Sequence, residues 1–214
     1  IQKPLDTIAV PGVDEKEFQN SGYGKYFFYA SRFSPEKRFE YVIEAFRKFS
    51  QKKKGWKLVL AGYVLNKEKS EYVEKLKALS SGLDVEFKFS IPKEELRGLL
   101  SGAYAFLFAG VREDWGVAVI EAMASEKPVI SVNEGGPAYS ILDGKTGFLV
   151  NSPDEMSERM VYLAERPDEN EKMGKAARKR VVENYTLKIF LDTMGKAFEE
   201  VAAGKAETGK IGSI

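Results

Sequence analysis

Tyr104-Ala105-Phe106-Leu107-Phe108, a loop ending at Gly116, Val117-Ala118-Val119-Ile120-Glu121-Ala122-Met123-Ala124 and, after Lys127, Pro128-Val129-Ile130-Ser131-Val132 form the stretch that decides the fold. The first run is apolar throughout, as is Leu58-Val59-Leu60-Ala61. Strands of this kind are covered on both faces, which is the condition of a parallel sheet with helices on each side. Gly116 stands where the loop after the first run must turn into a helix, and Pro128–Val132 starts the next strand. Further strands are expected at Lys25–Ala30, Trp56–Ala61, Val85–Phe89 and Gly147–Val150. Between them, Phe39, Val42, Ile43, Phe46 and Phe49 form one helical stripe, and Tyr72, Val73, Leu76 and Leu79 another. Pro92, with Glu94 and Glu95 after it, is expected to open a third helix at its first position. The alternation predicts an α/β domain with a doubly wound, Rossmann-like parallel sheet, whose ligands bind at the carboxyl ends of the strands where strand order reverses.

Outward from this core, residues 1–24 carry Pro4, Pro11, Gly12, Gly22 and Gly24 and read as a linker leading into the domain, whose body spans 25–184. Helices are expected from Pro153 through Ala164 and from Pro167 to Asn184. Residues 185–203 form a C-terminal helix with Ile189, Phe190, Met194 and Phe198 on one face, followed by a Gly- and Lys-rich tail, 204–214.

The 214 residues carry 33 Lys and Arg against 32 Asp and Glu, so no global field favours nucleic acid, and any anion site is local. There is no cysteine and no histidine, which removes disulfides, thiol catalysis, Ser-His-Asp chemistry and the commonest metal ligands from this chain. Carboxylates, Lys, Arg, Tyr and backbone amides remain. No apolar run approaches the roughly 20 residues of a membrane span. The expectation is a cytoplasmic protein, with any peripheral membrane contact made by parts outside this chain.

Chemistry concentrates between Glu113 and Glu121. A helix starting at Gly116 offers the free amides of its first turn, including that of Val117, to whatever occupies the strand ends, which is an anion cradle. Two carboxylates stand eight residues apart, Glu113 before the helix and Glu121 two turns in. By spacing alone the plainer reading is favoured, with Glu113 a helix-start acid and Glu121 an exposed residue of a polar face. Arg32 and Lys37, after the first strand, read alone as surface cations.

The wider pattern, Glu113-Asp114-Trp115-Gly116, then Glu121-Ala122-Met123-Ala124, Pro128-Val129-Ile130 and Gly135-Gly136-Pro137, resembles the signature of glycosyltransferase family four, retaining enzymes of the two-domain GT-B type. Pro11-Gly12-Val13-Asp14 is similar to the family's interdomain lead-in, and Ala30 through Lys37 to its first strand and following loop. The resemblance runs from about Val10 to Phe198 and corresponds to the family's C-terminal, donor-binding domain. It implies that Arg32 and Lys37 meet the donor diphosphate, that Glu113 bonds donor-sugar hydroxyls, and that Glu121 accepts from the ribose. It further implies that the amides of Gly116 and Val117 meet phosphate, while Phe89-Ser90-Ile91 borders the base. The sequence departs from the family where Tyr139 replaces the Glu of a Gly-Gly-x-x-Glu pattern, and where Arg38 replaces the usual Gly or Asn.

The function so implied is transfer of a hexose, such as mannose or glucose, from a nucleotide-diphosphate sugar to an acceptor that the sequence does not name. No cofactor or metal is expected beyond the donor itself. The partners are that donor and an N-terminal domain absent from this chain, without which the isolated chain is expected to be inactive. The alternative is a stand-alone nucleotide-sugar-binding or regulatory module. A dinucleotide oxidoreductase lacks its G-x-G-x-x-G fingerprint after the first strand.

Overall fold

The computed structural model describes residues 9–64 and 67–203, leaving the 204–214 tail and the first eight residues of the lead-in outside the described residues. Strands β1 (Tyr26–Ala30), β2 (Lys57–Gly62), β3 (Val85–Phe89), β4 (Ala105–Phe108), β5 (Val129–Val132) and β6 (Gly147–Val150) form one parallel sheet in the order β3-β2-β1-β4-β5-β6. Strand order therefore reverses between β1 and β4, which are paired through Phe27↔Ala105 and Phe28↔Phe106. The crevice at their carboxyl ends is where ligands of such sheets lie.

Helices α1 (Phe39–Lys52), α2 (Lys67–Leu79), α3 (Lys93–Gly102), α4 (Val117–Ala124), α5 (Pro137–Ser140), α6 (Pro153–Glu165), α7 (Pro167–Asn184) and α8 (Leu187–Ala202) cover the sheet and its ends. The central strands are apolar because both faces are covered: Phe27, Phe28 and Tyr29 of β1 and Leu58 and Leu60 of β2 are inaccessible to solvent. The α1 stripe of Phe39, Val42, Ile43, Phe46 and Phe49 is buried, as a 3.6-residue repeat on one helix face requires. Edge strand β3 differs, its Glu86 pairing with Lys57 of the neighbouring β2 at 3.0 Å and with Lys88 at 3.1 Å. At the start of α6 the Ser152 hydroxyl accepts from the Glu155 N–H at 3.2 Å, and the Glu155 carboxylate accepts from the Asn151 N–H at 2.8 Å. Pro92 caps α3 from just outside rather than occupying its first turn. The single turn α5 has no counterpart in the sequence reading.

Described residues of the lead-in pack on this body. Val13 and Phe18 are buried, and Val13 exchanges backbone hydrogen bonds with Tyr185 and Leu187 at 3.0 and 2.7 Å. Gly12 is glycine because a Cβ there would stand 2.3 Å from the Thr186 carbonyl oxygen. Buried Lys127 donates to the Asn20 side-chain oxygen and to the Gly22 carbonyl, both at 2.6 Å, and lies over the Tyr23 ring. Burial lowers its pKa to about 8. Helix α8 buries none of its residues and leaves Leu187, Leu191, Phe198 and Val201 exposed.

Candidate functional site

The loops after β1 and β4, neighbours across the reversal point, bring Lys37 and Glu113 together. The Lys37 ammonium donates to Glu113 Oε2 at 2.5 Å, with the two side chains 12% and 25% exposed. The sequence reading assigned these residues to different parts of a ligand. They form one charge-assisted pair, shielded enough to count for more than a surface ion pair.

Each loop is held by backbone that tolerates few substitutions. Lys37 ends a short 3-10 turn, Pro35–Lys37, after which Arg38 takes the left-handed conformation at φ 46° and ψ 49°. That conformation explains why Gly or Asn is usual there. Arg38 is fixed by bonds from Nε to the Ala109 carbonyl at 2.7 Å and from its terminal nitrogen to Glu134 at 3.0 Å, so it ties the loops after β1, β4 and β5. The loop that carries Glu113 is gripped by Gly135 and Gly136. The Gly136 N–H donates to the Glu113 carbonyl at 2.9 Å, and a Cβ on Gly135, whose φ is 62°, would stand 2.4 Å from that oxygen. A Cβ on Gly136 would meet the Trp115 Cα at 2.3 Å. The double glycine therefore sets the position of Glu113 through backbone contact, a role the sequence reading did not assign.

Gly116, at φ 75°, begins α4 with no side-chain cap, so the first-turn amides are not covered by a capping side chain. Val117 follows, 44% exposed. Asp114 is exposed. Trp115 packs edge-on against Tyr185 at the end of α7 and donates from its indole nitrogen to the Pro11 carbonyl at 3.0 Å, fastening the lead-in to the loop before α4. Arg32 lies exposed in the loop after β1. Tyr139, at the position where the resemblance calls for Glu, is 70% exposed.

Glu121 lies on α4 in a cleft between α3 and α4, whose lining includes Phe28, Phe106, Lys93 and Arg97. Burial raises its pKa above the ordinary 4.5, while Lys93 and Arg97 pull it down and Glu17 pushes it up. Ile91 is partly buried against the core, and Ser90 before it takes a left-handed φ of 50° with its N–H bonded to the Gly62 carbonyl at 2.8 Å. Sequence reasoning missed Arg97 and Glu17. The i,i+4 spacing of Lys93 and Arg97 on α3 was the available signal.

These features define a doubly wound domain whose reversal-point crevice carries an uncapped helix start, a Lys–Glu pair and a half-buried carboxylate. Residues 13–180 match the family described as glycosyl transferases group 1, and the chain belongs to that family. Trehalose synthase of Pyrococcus horikoshii is 33% identical over 163 residues, covering 73% of this chain and 39% of that protein. The chain thus spans about two fifths of that relative's length. Among solved structures, HepE from Anabaena, determined with UDP-glucose, superposes with a TM-score of 0.77 at 18% identity, over 88% of this chain and 56% of that one. The C-terminal domain of the glycosyl transferase group 1 protein LpcC from Francisella tularensis gives 0.71 at 23% identity, over 82% of this chain and 100% of that one. At these identities the structures speak to the fold. Among the described residues, no helix is long and apolar enough to cross a membrane.

Proposed function

We propose that this chain is the donor-binding half of a retaining glycosyltransferase that moves a hexose from a nucleotide-diphosphate sugar. The observation that carries this reading is the convergence, in a chain of this family, of the Lys37–Glu113 pair, the amides after Gly116 and Glu121 at one reversal point. Arg32, Lys37 and the α4 amides receive the diphosphate, whose negative charge grows as the sugar departs. That stabilisation needs no metal. Glu113 takes sugar hydroxyls, Glu121 the ribose, and the Ile91 segment borders the base. The acceptor side belongs to a preceding domain, for which the exposed apolar face of α8, with Leu191, Phe198 and Val201, is a fitting surface.

Titration calorimetry of the chain with UDP, GDP and ADP tests the reading. At least one should bind, Arg32→Ala should weaken it by about ten-fold or more, as loss of a charge-assisted contact implies, and the bare nucleoside should be little affected. Failure of all three to bind refutes the reading.

Glu121 gives the proposal a pH signature. Its pKa is raised by burial, so its proton is lost at higher pH than from an ordinary carboxyl. In the free chain the neutral form is favoured relative to the unfolded state, and that advantage disappears as pH rises through the folded value. Ribose hydroxyls bond better to the ionised form. As pH drops, nucleoside diphosphate affinity should therefore begin to fall while still above the ordinary carboxyl value of 4.5. Glu121→Gln should remove this component and leave that of the ligand's phosphates. An identical pH profile in the variant would detach Glu121 from the ligand.

A further inference from the structure

Two residues that line the α3–α4 cleft, one on each helix, carry a polar group without a hydrogen-bond partner among the described residues. From α4, the Glu121 carboxylate makes no hydrogen bond among the described residues. From α3, the Nε–H of Arg97 is buried without a hydrogen-bond partner among the described residues. Both residues line the same cleft, and Phe28, Leu96, Leu100 and Phe106 make much of the rest of its lining apolar. Folded proteins rarely keep a buried donor unpaired, and where they do a functional explanation is warranted.

Arg97 is also held in place. A terminal nitrogen pairs with Glu17, and the guanidinium lies over the Phe18 ring at 5.5 Å from its centroid. Lys93, one turn earlier on α3, stands 3.6 Å from Glu17. The lead-in thus occupies the far end and one face of the guanidinium. What remains unsatisfied is Nε, the edge nearest the helix.

The two unsatisfied groups select a ligand chemistry. A carboxylate only accepts and an Nε–H only donates, so the matching ligand both donates and accepts within a short span. An amine offers no acceptor to Arg97 once protonated, and a phosphate no donor to Glu121. A vicinal diol offers both, because each hydroxyl donates one hydrogen and keeps lone pairs. We propose that Arg97 is a second ribose contact, donating from Nε to one hydroxyl of the diol while the neighbouring hydroxyl donates to Glu121, with Glu17 and Phe18 as its positioning residues. This rests on the nucleotide-sugar reading above and extends it by making the lead-in part of the ribose site.

The experiment is calorimetry of the whole chain with UDP, GDP and ADP, each compared with its 2′,3′-dideoxy form, for the parent, Arg97→Lys and Glu17→Gln. Arg97→Lys keeps the charge that faces Glu17 and removes the Nε–H. It should weaken the best-bound ribonucleotide by about ten-fold and leave its dideoxy form nearly unchanged. Glu17→Gln should act in the same direction more weakly, and it decides the matter if thermal melts show that Arg97→Lys is not folded. An equal loss on both nucleotide forms, or no loss on either, overturns the assignment of Arg97. If the parent binds a diphosphate but does not distinguish it from its dideoxy form, the diol is overturned while the nucleotide reading stands. If it binds no diphosphate, both fail.

Discussion

Gly135→Ala is expected to lower the thermal midpoint and displace the Glu113 loop, while Gly144→Ala, an equally left-handed position, should only lower the midpoint. Gly135 has φ 62° and Gly144 φ 71°, so an L side chain at either pays a left-handed cost of roughly 1–2 kcal/mol. Nothing lies within 4 Å of a Cβ at Gly144, whereas at Gly135 the Glu113 carbonyl oxygen would stand at 2.4 Å. A backbone atom cannot swing aside as a side chain does. The loop with Glu113 must retreat by most of an ångström to reach ordinary contact, and a misplacement of that size costs about 100-fold in a reaction that depends on it. For a domain of this length the strain alone corresponds to a midpoint shift of roughly 2–8 °C. Differential scanning calorimetry reads the first effect. Transfer by the two-domain protein reads the second, and equal transfer by the two variants would show that Gly135 does not position Glu113.

The distinction between these glycines marks how far the sequence could be read. The sheet was legible because its strands declare themselves: Leu58–Ala61 and Ala105–Phe108 are apolar throughout, and only a doubly covered strand tolerates that. Helices α1, α6 and α7 were legible from periodicity and from Pro153 and Pro167 at their starts. The packing of the lead-in was not, because Val13 and Phe18 are single apolar residues flanking Asp14, Glu15, Lys16 and Glu17, and no period announces that they are buried. Helix α5 is one turn long and leaves no stripe to detect.

At the site, residue types were legible and their partnerships were not. Glu113, Gly116 and Glu121 could be picked out within one motif. The Lys37–Glu113 contact joins positions 76 residues apart and exists because β1 and β4 are neighbours at the reversal point, a fact of topology that neither segment encodes. Arg97 went unread for a related reason. Its α3 setting among Lys93, Glu94 and Glu95 looks like an ordinary charged face, and only the approach of Glu17, 80 residues earlier, distinguishes it.

The Lys37–Glu113 pair carries the last prediction. If Lys37 served phosphate alone and Glu113 sugar alone, Lys37→Met and Glu113→Gln would impair different steps, and their effects would add. Their contact at 2.5 Å, with both side chains largely shielded, requires instead that each orients the other. Removing the ammonium leaves Glu113 a poorly solvated carboxylate without its counter-ion, free to rotate away from the sugar. Removing the carboxylate charge lets the ammonium turn toward solvent. In the two-domain protein each single variant should lower transfer by about 10- to 150-fold, the equivalent of roughly 1.5–3 kcal/mol for a charge-assisted bond. The double variant should be much less impaired than the product of the two, a coupling of roughly 1–3 kcal/mol in a double-mutant cycle. Glu113→Gln alone should weaken nucleoside diphosphate binding by the isolated chain less than Lys37→Met does, because Glu113 reaches the phosphates only through the ammonium it orients. Asp114→Asn, exposed beside Glu113, is the control and should be close to neutral. Additive losses in the cycle would mean that the contact is incidental and that the two residues act independently, as their separate places in the sequence suggest.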